Sequence, residues 1–258
     1  MTTSALIQPT ITADEAALYD RQIRLWGLDA QQRLRNAHVR VINLRSPIAL
    51  ELCKNLTLAG IGRLTLTDDR LVETADLAYL YCCLGDADTW VGKEVGKAYK
   101  HYLHTLNPRV AVTLDERAGR EVDAAGFVGV QLTCLVDPSP ADLLRVDQCY
   151  REHVQATPLS ALPSMAQPTP PEGLLATGSY GELGYVLADL HRFSFQPAAS
   201  TASEPASDGP APLTVERVNF DTFADVLARN WSDVPARQIK RRLSPGWLAL
   251  LGKLVTCR

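Results

Sequence analysis

Apolar and polar residues recur along this chain in two periods, near 3.6 and near 2, and the switches between them mark out its elements. Tyr19, Ile23 and Trp26 fall at helical spacing behind Thr12-Ala13-Asp14-Glu15, a capping box whose side chains can satisfy the free amides of a helix start. Gly27 ends this arm, and a second short helix is expected over residues 29–35. Residues 38–44, with Val39, Val41 and Ile42 apolar, predict a buried parallel strand. Ser46-Pro47 starts the next helix, because proline at the first helical position loses no hydrogen bond. Ile48, Leu52 and Leu56 form the inner stripe of that helix, and Gly60 or Gly62 stops it. Residues 63–68 alternate as a second strand, which completes a β-α-β unit with an expected right-handed crossover. A helix over 91–106, strands over 109–114 and 130–137, and a helix over 142–153 repeat the pattern. An α/β, Rossmann-like doubly wound sheet is the economical reading.

The order then lapses. Residues 155–171 hold five prolines and no charged residue, and they read as an insertion. Regular structure resumes over 173–177 and 182–190, and lapses again over 196–212, an Ala-, Ser- and Pro-rich stretch expected to be disordered. Nine of the sixteen prolines lie between Pro158 and Pro212. Val215, Val218 and Phe220 predict one more strand, with helices over 224–228 and 235–254. The organisation expected is an N-terminal helical arm over 1–36 and a Rossmann-like domain over 37–195 carrying the insertion 155–171. A linker over 196–212 and a C-terminal strand and helices over 213–258 follow.

The whole chain has 258 residues and a net charge of −3. That size is enough for one α/β domain with a sizeable core. The slight acidity argues against a nucleic-acid binder, which needs a basic footprint. No signal peptide and no run of about 18 apolar residues is present, so no membrane partner is expected and the chain reads as soluble and intracellular. The six cysteines form no C-x-x-C pair, which leaves no zinc or thioredoxin signature, and most of them read as reduced thiols.

The candidate chemistry is defined chiefly by what is missing. In a nucleotide-binding β-α-β unit the first turn carries glycines so that backbone amides can reach phosphates. Here it is Asn43-Leu44-Arg45-Ser46-Pro47-Ile48-Ala49, with no glycine. Leu44 and Arg45 are expected to project where a phosphate would approach, and Pro47 removes a donor. Asp68 and Asp69 end the second strand at the ribose position, but without the glycines they read as a strand terminator and a solvated carboxylate. Asp137 lies at the carboxyl edge of the sheet, where a magnesium role and an ordinary Asp-Pro turn are both open. Cys82-Cys83 has no basic neighbour in sequence to activate a thiolate, and His38, His101, His104, His153 and His191 show no metal spacing. The run Arg237, Lys240, Arg241, Arg242 fits a nuclear-import signal, an acidic-partner patch, or the wet face of a terminal helix. No catalytic residue, cofactor site or metal site is assigned within the chain's own pocket.

The stretch Ala16-Ala17-Leu18-Tyr19-Asp20-Arg21-Gln22-Ile23-Arg24-Leu25-Trp26-Gly27 resembles the N-terminal signature of ubiquitin-like-modifier activating enzymes, whose fold is of the ThiF type. Within that family the chain looks like the smaller, non-catalytic subunit of the SUMO-activating heterodimer. The likeness continues in Glu51-Leu52-Cys53-Lys54-Asn55-Leu56-Thr57-Leu58-Ala59-Gly60-Ile61-Gly62, in Leu106-Asn107-Pro108-Arg109, in Arg145-Val146-Asp147-Gln148 and in Ala176-Thr177-Gly178-Ser179-Tyr180-Gly181. The resemblance implies a heterodimer in which the catalytic subunit, with ATP and magnesium in its own site, adenylates the C-terminal glycine of SUMO. This chain would support that site, bind no cofactor itself, and reside in the nucleus and cytoplasm. It further implies that Arg21 reaches ATP in the partner's site. The catalytic half of the family carries an Asp-x-Asp and a Ser-Asn-Leu-x-Arg-Gln segment after its second strand. The stretch Asp68-Asp69-Arg70-Leu71-Val72-Glu73-Thr74-Ala75-Asp76-Leu77-Ala78-Tyr79 here lacks that Arg and Gln. Family members continue beyond the position of Arg258, so by resemblance the C-terminus looks truncated. Two other readings are a regulatory subunit of the neddylation-activating enzyme and a pseudoenzyme scaffold that no longer pairs; a Rossmann oxidoreductase meets the missing-glycine objection.

Overall fold

The arm is three short helices, α1 (Ala13–Leu18), α2 (Asp20–Trp26) and α3 (Leu28–Asn36), and it leads into β1 (His38–Ile42). The computed structural model describes residues 11–115, 122–156, 172–195, 216–228 and 237. Then come α4 (Pro47–Ala59), β2 (Arg63–Thr67), α5 (Leu77–Leu80), α6 (Val95–Leu106), β3 (Ala111–Leu114), β4 (Leu132–Val136) and α7 (Pro140–Ala156). The remaining elements are β5 (Gly173–Tyr180), β6 (Leu183–Asp189), β7 (Arg192–Phe195), β8 (Glu216–Asn219) and α8 (Phe223–Ala228).

The main sheet has the order β3-β2-β1-β4-β5-β6, parallel throughout except for the antiparallel edge strand β6. Its side chains alternate between two cores. Val41, Leu64, Leu66, Cys134 and Val136 pack with Leu50, Cys53, Ala98, Tyr99 and Leu103 of α4 and α6. Ile42, Leu135, Leu174 and Ala176 pack on the opposite face with Leu143, Val146 and Tyr150 of α7, together with Phe127 and Phe223. Helices therefore cover both faces, and the Rossmann-like doubly wound class read from the periodicity is the observed one.

Several boundaries differ from the sequence reading, each for a local reason. The helix expected from 91 begins at Val95, because residues 92–95 are tied by backbone hydrogen bonds to Arg70 and Val72, with Gly92 at φ 80°. The expected strand over 173–177 continues to Tyr180 and forms a hairpin with β6 across Gly181, whose φ is 63°. Strand β7 escaped the reading altogether; it pairs antiparallel with β8, within the expected C-terminal strand. Helix α7 extends to Ala156, while the rest of the expected insertion, the linker over 196–212, the helix over 235–254 and the basic run beyond Arg237 lie outside the described residues.

The arm is docked by its polar residues. Thr12 and Glu15 form the expected capping box. Glu15 is buried and pairs with Arg35 at 2.8 Å. Its carboxyl is held below the usual range by the Thr12 amide and, against the opposing effect of burial, by Arg35. Tyr19 is buried against Gly60, where φ is 78° and an added Cβ would lie 2.4 Å from the Tyr19 ring. Asn107 donates to the Tyr19 hydroxyl at 2.8 Å and to the Thr57 carbonyl at 2.9 Å. Gln31 donates to the Ala59 carbonyl at 3.1 Å, accepts from the Trp26 indole at 3.1 Å, and Gln22 donates to the Leu58 carbonyl at 3.3 Å. The C-terminal end of α4, whose carbonyls lack intrahelical partners, thus anchors the arm.

On the α7 face of the sheet, Arg40 of β1 is 2% exposed. It donates to the Thr67 hydroxyl at 2.9 Å, the Gly126 carbonyl at 3.1 Å and the Asp115 carboxylate at 2.5 Å. This ion pair ties β1, β2, the end of β3 and the 124–127 turn together in a site shielded from water. Replacing Asp115 with Ala removes a buried carboxylate bonded to this guanidinium, and should lower stability by about 3–5 kcal/mol, read from urea unfolding midpoints at constant slope.

Candidate functional site

Ligands in doubly wound sheets bind beyond the carboxyl ends of the strands where the strand order reverses, here between β1 and β4. A cavity of about 250 Å³ opens at this point, lined in part by Ile42, Asn43, Asp68, Arg70, Asp137 and Arg145. The turn that should meet a phosphate begins at Asn43, which takes a left-handed conformation with φ 73°. Asparagine tolerates this backbone better than most residues, which lets the turn form without glycine.

Nearly every polar group around the turn is satisfied from within the chain. Asn43 Nδ2 donates to the carbonyls of Val136 and Asp137, and its Oδ1 accepts from Arg70. The Leu44 amide donates to Asp68 Oδ2 at 2.7 Å, and Arg70 closes over the same carboxylate. Burial works against the charge on Asp68, yet Arg70 and the Arg70 and Leu44 amides hold its carboxyl below the usual range. Ser46 caps α4 by accepting from the Ile48 amide at 3.2 Å, and donates to Asp137 Oδ2 at 2.5 Å. The other oxygen of Asp137 accepts from the Ser179 amide at 3.0 Å. Gly178 permits that approach, since a Cβ there would lie 2.7 Å from the Asp137 carboxylate.

The expectation that Leu44 and Arg45 project towards a phosphate is corrected. After the left-handed step at Asn43, Leu44 turns into the core and is 0% exposed. Arg45 swings away to Glu73 at 2.6 Å and Asp76 at 2.9 Å. Arg70, which carried no signal in the sequence, lines the cavity instead, together with Arg145. Asp68 is a structural acceptor, as the strand-terminator reading expected, and Asp69 is exposed. Asp137 is engaged by Ser46 and Ser179, in keeping with its turn reading.

A triphosphate does not fit these residues. The helix start it would need is capped by Ser46 and lacks one amide at Pro47. Asp68, Asp69, Asp137 and Asp142 outnumber Arg70 and Arg145 around the cavity, so the balance of charge is the wrong sign. A nicotinamide dinucleotide meets the same closed turn. Among the described residues no group of three or more His, Cys, Asp or Glu could hold a metal ion.

The other candidates are dispersed. Cys53 and Cys134 are buried, and burial pushes both thiols up, away from reactivity. Cys82 is exposed and Cys83 half-buried. Folding brings Lys54 of α4 within electrostatic reach of both, a neighbour that sequence adjacency missed, although Lys54 is bonded first to Glu51 at 2.5 Å. His38 bridges the Gly129 carbonyl and the Thr65 hydroxyl, His101 packs against Trp90, His104 is exposed, His153 pairs with Glu172 and His191 meets Arg151.

Arg21 lies on the outer side of α2, exposed and with no hydrogen bond or ion pair to another described residue. The helix-face ion pair in this segment is Arg24 with Asp20, at 2.9 Å. Leu18, Leu25, Trp26, Leu28 and Leu58, from the arm and the adjoining end of α4, are all exposed. Such a concentration of apolar side chains marks an interaction surface.

No family model matches the chain. It is 28% identical over 256 residues to SUMO-activating enzyme subunit 1 of Rattus norvegicus, an alignment covering 93% of this chain and 67% of that protein. It is 44% identical over 106 residues to SUMO-activating enzyme subunit 1B-1 of Arabidopsis thaliana, covering 41% of this chain and 33% of that one. Among solved structures, the tRNA N6-threonylcarbamoyladenosine dehydratase TcdA of E. coli superposes with a TM-score of 0.47 at 21% identity, over 56% of this chain and 60% of that one. The chain therefore matches about two thirds of the rat protein's length and a third of the plant protein's.

Titration of the isolated chain with ATP and magnesium should give no saturable binding up to about 1 mM by calorimetry. A micromolar dissociation constant would mean that phosphate reaches the α4 start after all.

Proposed function

From its similarity to SUMO-activating enzyme subunit 1 we propose that the chain is the non-catalytic subunit of a SUMO-activating heterodimer. Its closed pocket leaves adenylation to the catalytic subunit. ATP and magnesium, held in that subunit's site, supply the chemistry that activates the modifier's C-terminal glycine. The contribution of this chain is the arm.

One observation carries the reading. Tyr19 and Gln22 dock the arm through the Tyr19 hydroxyl and Gln22 Nε2, and the Trp26 indole bonds Gln31 within the arm, whereas Arg21, within the same motif, is left outward and uncompensated beside exposed Leu18 and Leu25. A guanidinium held on a docked helix is pre-organised, so it can meet phosphate oxygens across an interface with little ordering cost, and its planar fork can make two parallel hydrogen bonds. Placed there it would stabilise the charge that builds on the phosphates during adenylyl transfer, as a trans-acting arginine does in other phosphate chemistry. The surrounding apolar residues would be covered by the catalytic subunit, which matches their exposure in the isolated chain. A nuclear site of action, with the cytoplasm as a second, follows from the same proposal. Among the described residues no helix is long and apolar enough to cross a membrane.

The relatives named for SUMO activation do not favour a neddylation-type subunit. An unpaired scaffold is separated by experiment. Co-expressed with a SUMO-type catalytic subunit, the chain should co-purify and support ATP-dependent thioester formation. Arg21→Ala should lower ATP–pyrophosphate exchange by about 10²-fold while leaving the complex intact on size exclusion. Unchanged exchange would remove Arg21 from the mechanism, and failure to co-purify would favour the scaffold.

A further inference from the structure

On the far side of the sheet from the arm, two buried carboxyl groups face one another outside any role given so far. Asp147, on α7, is 2% exposed, and Asp189, at the end of β6, is 0% exposed. They are not equivalent. Asp189 has a cation of its own: Arg151 donates to both of its oxygens, at 2.5 and 2.6 Å, and the His191 amide adds a third bond at 2.9 Å. Asp147 has none. Its Oδ2 accepts from the Phe223 amide at 2.8 Å, and its Oδ1 is buried with no hydrogen-bond partner among the described residues. An unpaired buried carboxylate oxygen beside a second carboxylate is costly while charged, and a proton on Oδ1 supplies a donor to turn towards Asp189.

The same cluster holds the last described segment of the chain. Phe223 packs its ring into the α7-side core and gives its amide to Asp147. The Phe220 carbonyl accepts from Arg151 at 2.6 Å, and the Phe220 amide donates to the His191 carbonyl at 2.8 Å. Segment 220–228, including α8, is thus attached largely through the groups around the two carboxyls.

We propose that Asp147 and Asp189 form a proton-operated latch: a proton kept on Asp147 holds segment 220–228 on α7, and its loss releases the segment. Burial, and then Asp189, push Asp147 up to about 7. In the released segment's open state the group meets water and falls back towards the ordinary carboxylate range of about 4, with Asp189 still beside it. The docked form therefore binds the proton more tightly than the open form. Docking is strongest below about pH 4 and weakens as pH rises through about 7.

Other charged and titratable groups face the pair. Arg151 on α7 is committed to both oxygens of Asp189. His191, in the β6–β7 turn, is held below its usual range by burial and by Arg151 and Arg192, and accepts from Arg151 at 2.9 Å; its response is separated from that of Asp147 by the Asn variant below. Tyr150 donates to the Glu172 carbonyl and burial holds its hydroxyl protonated, while Glu172 pairs with His153. Asp225 of α8 is exposed and bonded to Thr222.

The test is amide hydrogen exchange at Phe223 in the full chain, corrected for the intrinsic rate. The opening equilibrium should rise about tenfold between pH 6 and 8. In Asp147→Asn, whose side chain can accept from the Phe223 amide and donate to Asp189 at any pH, it should stay flat. A flat wild-type profile would overturn the latch, and so would a slope that survives in Asp147→Asn, which would pass the response to His191. The carbon-13 titration of the Asp147 carboxyl in the unmodified chain decides independently of whether that variant folds: a midpoint near 7 is expected, and one near 4 overturns the proposal.

Discussion

The left-handed backbone at Asn43 is the constraint from which the rest of the site follows. Because the chain turns there through φ 73°, Leu44 enters the core, its amide meets Asp68, and Ser46 is set at the start of α4 within reach of Asp137. Tyr99 fixes the turn from below by donating to the carbonyls of Leu44 and Ser46, at 2.5 and 3.2 Å. A glycine turn reaches a similar shape with its amides left open to a ligand. Here the turn forms without glycine, and the Leu44 amide, the Ser46 hydroxyl and the Ser179 amide are taken up by the chain's own carboxylates.

The sheet also serves as a rigid mount for the arm, and α4 joins the two regions: its start is capped at the closed turn and its end anchors Tyr19, Gln22 and Gln31. Asn107, following α6, completes the anchorage by bonding both the Tyr19 hydroxyl and the Thr57 carbonyl. The helix that starts at the closed turn thus anchors, at its other end, the arm that carries Arg21. Under the proposed pairing this rigid support would matter, since an arginine ordered only on binding would lose part of its interaction energy to that ordering.

Much of this was legible in the sequence. The apolar periods located the doubly wound sheet, the capping box at Thr12 and the Ser46-Pro47 helix start, because those features depend on near neighbours alone. The absence of glycine from residues 43–49 announced that the pocket was closed. How it was closed was not legible, because the closing contacts span 24 residues from Leu44 to Asp68 and 91 from Ser46 to Asp137. The destinations of Leu44 and Arg45 were misjudged for the same reason: side-chain direction hinges on a single φ value that composition does not report. An Asn directly after a buried strand was the available signal, since it tolerates a left-handed turn. Strand β7 is four residues long, and its pairing with β8 is a tertiary fact with no period long enough to detect.

The closed pocket also contributes to the stability of the sheet. Open phosphate-binding amides are satisfied only by water or substrate, whereas each internal hydrogen bond contributes about 0.5–1.5 kcal/mol. The bonds from the Leu44 amide, the Ser46 hydroxyl and the Ser179 amide to Asp68 and Asp137 act in that way, and Arg70 offsets part of the charge they gather. The switch point of the sheet has become a brace between β1, β2, β4 and β5. Polar strain persists instead at Asp147 and Asp189, where a buried carboxyl lacks a counter-ion and a chain segment depends on its protonation state. Beside a turn whose polar groups are so largely satisfied from within the chain, that buried pair is a place where a change of pH has leverage on structure.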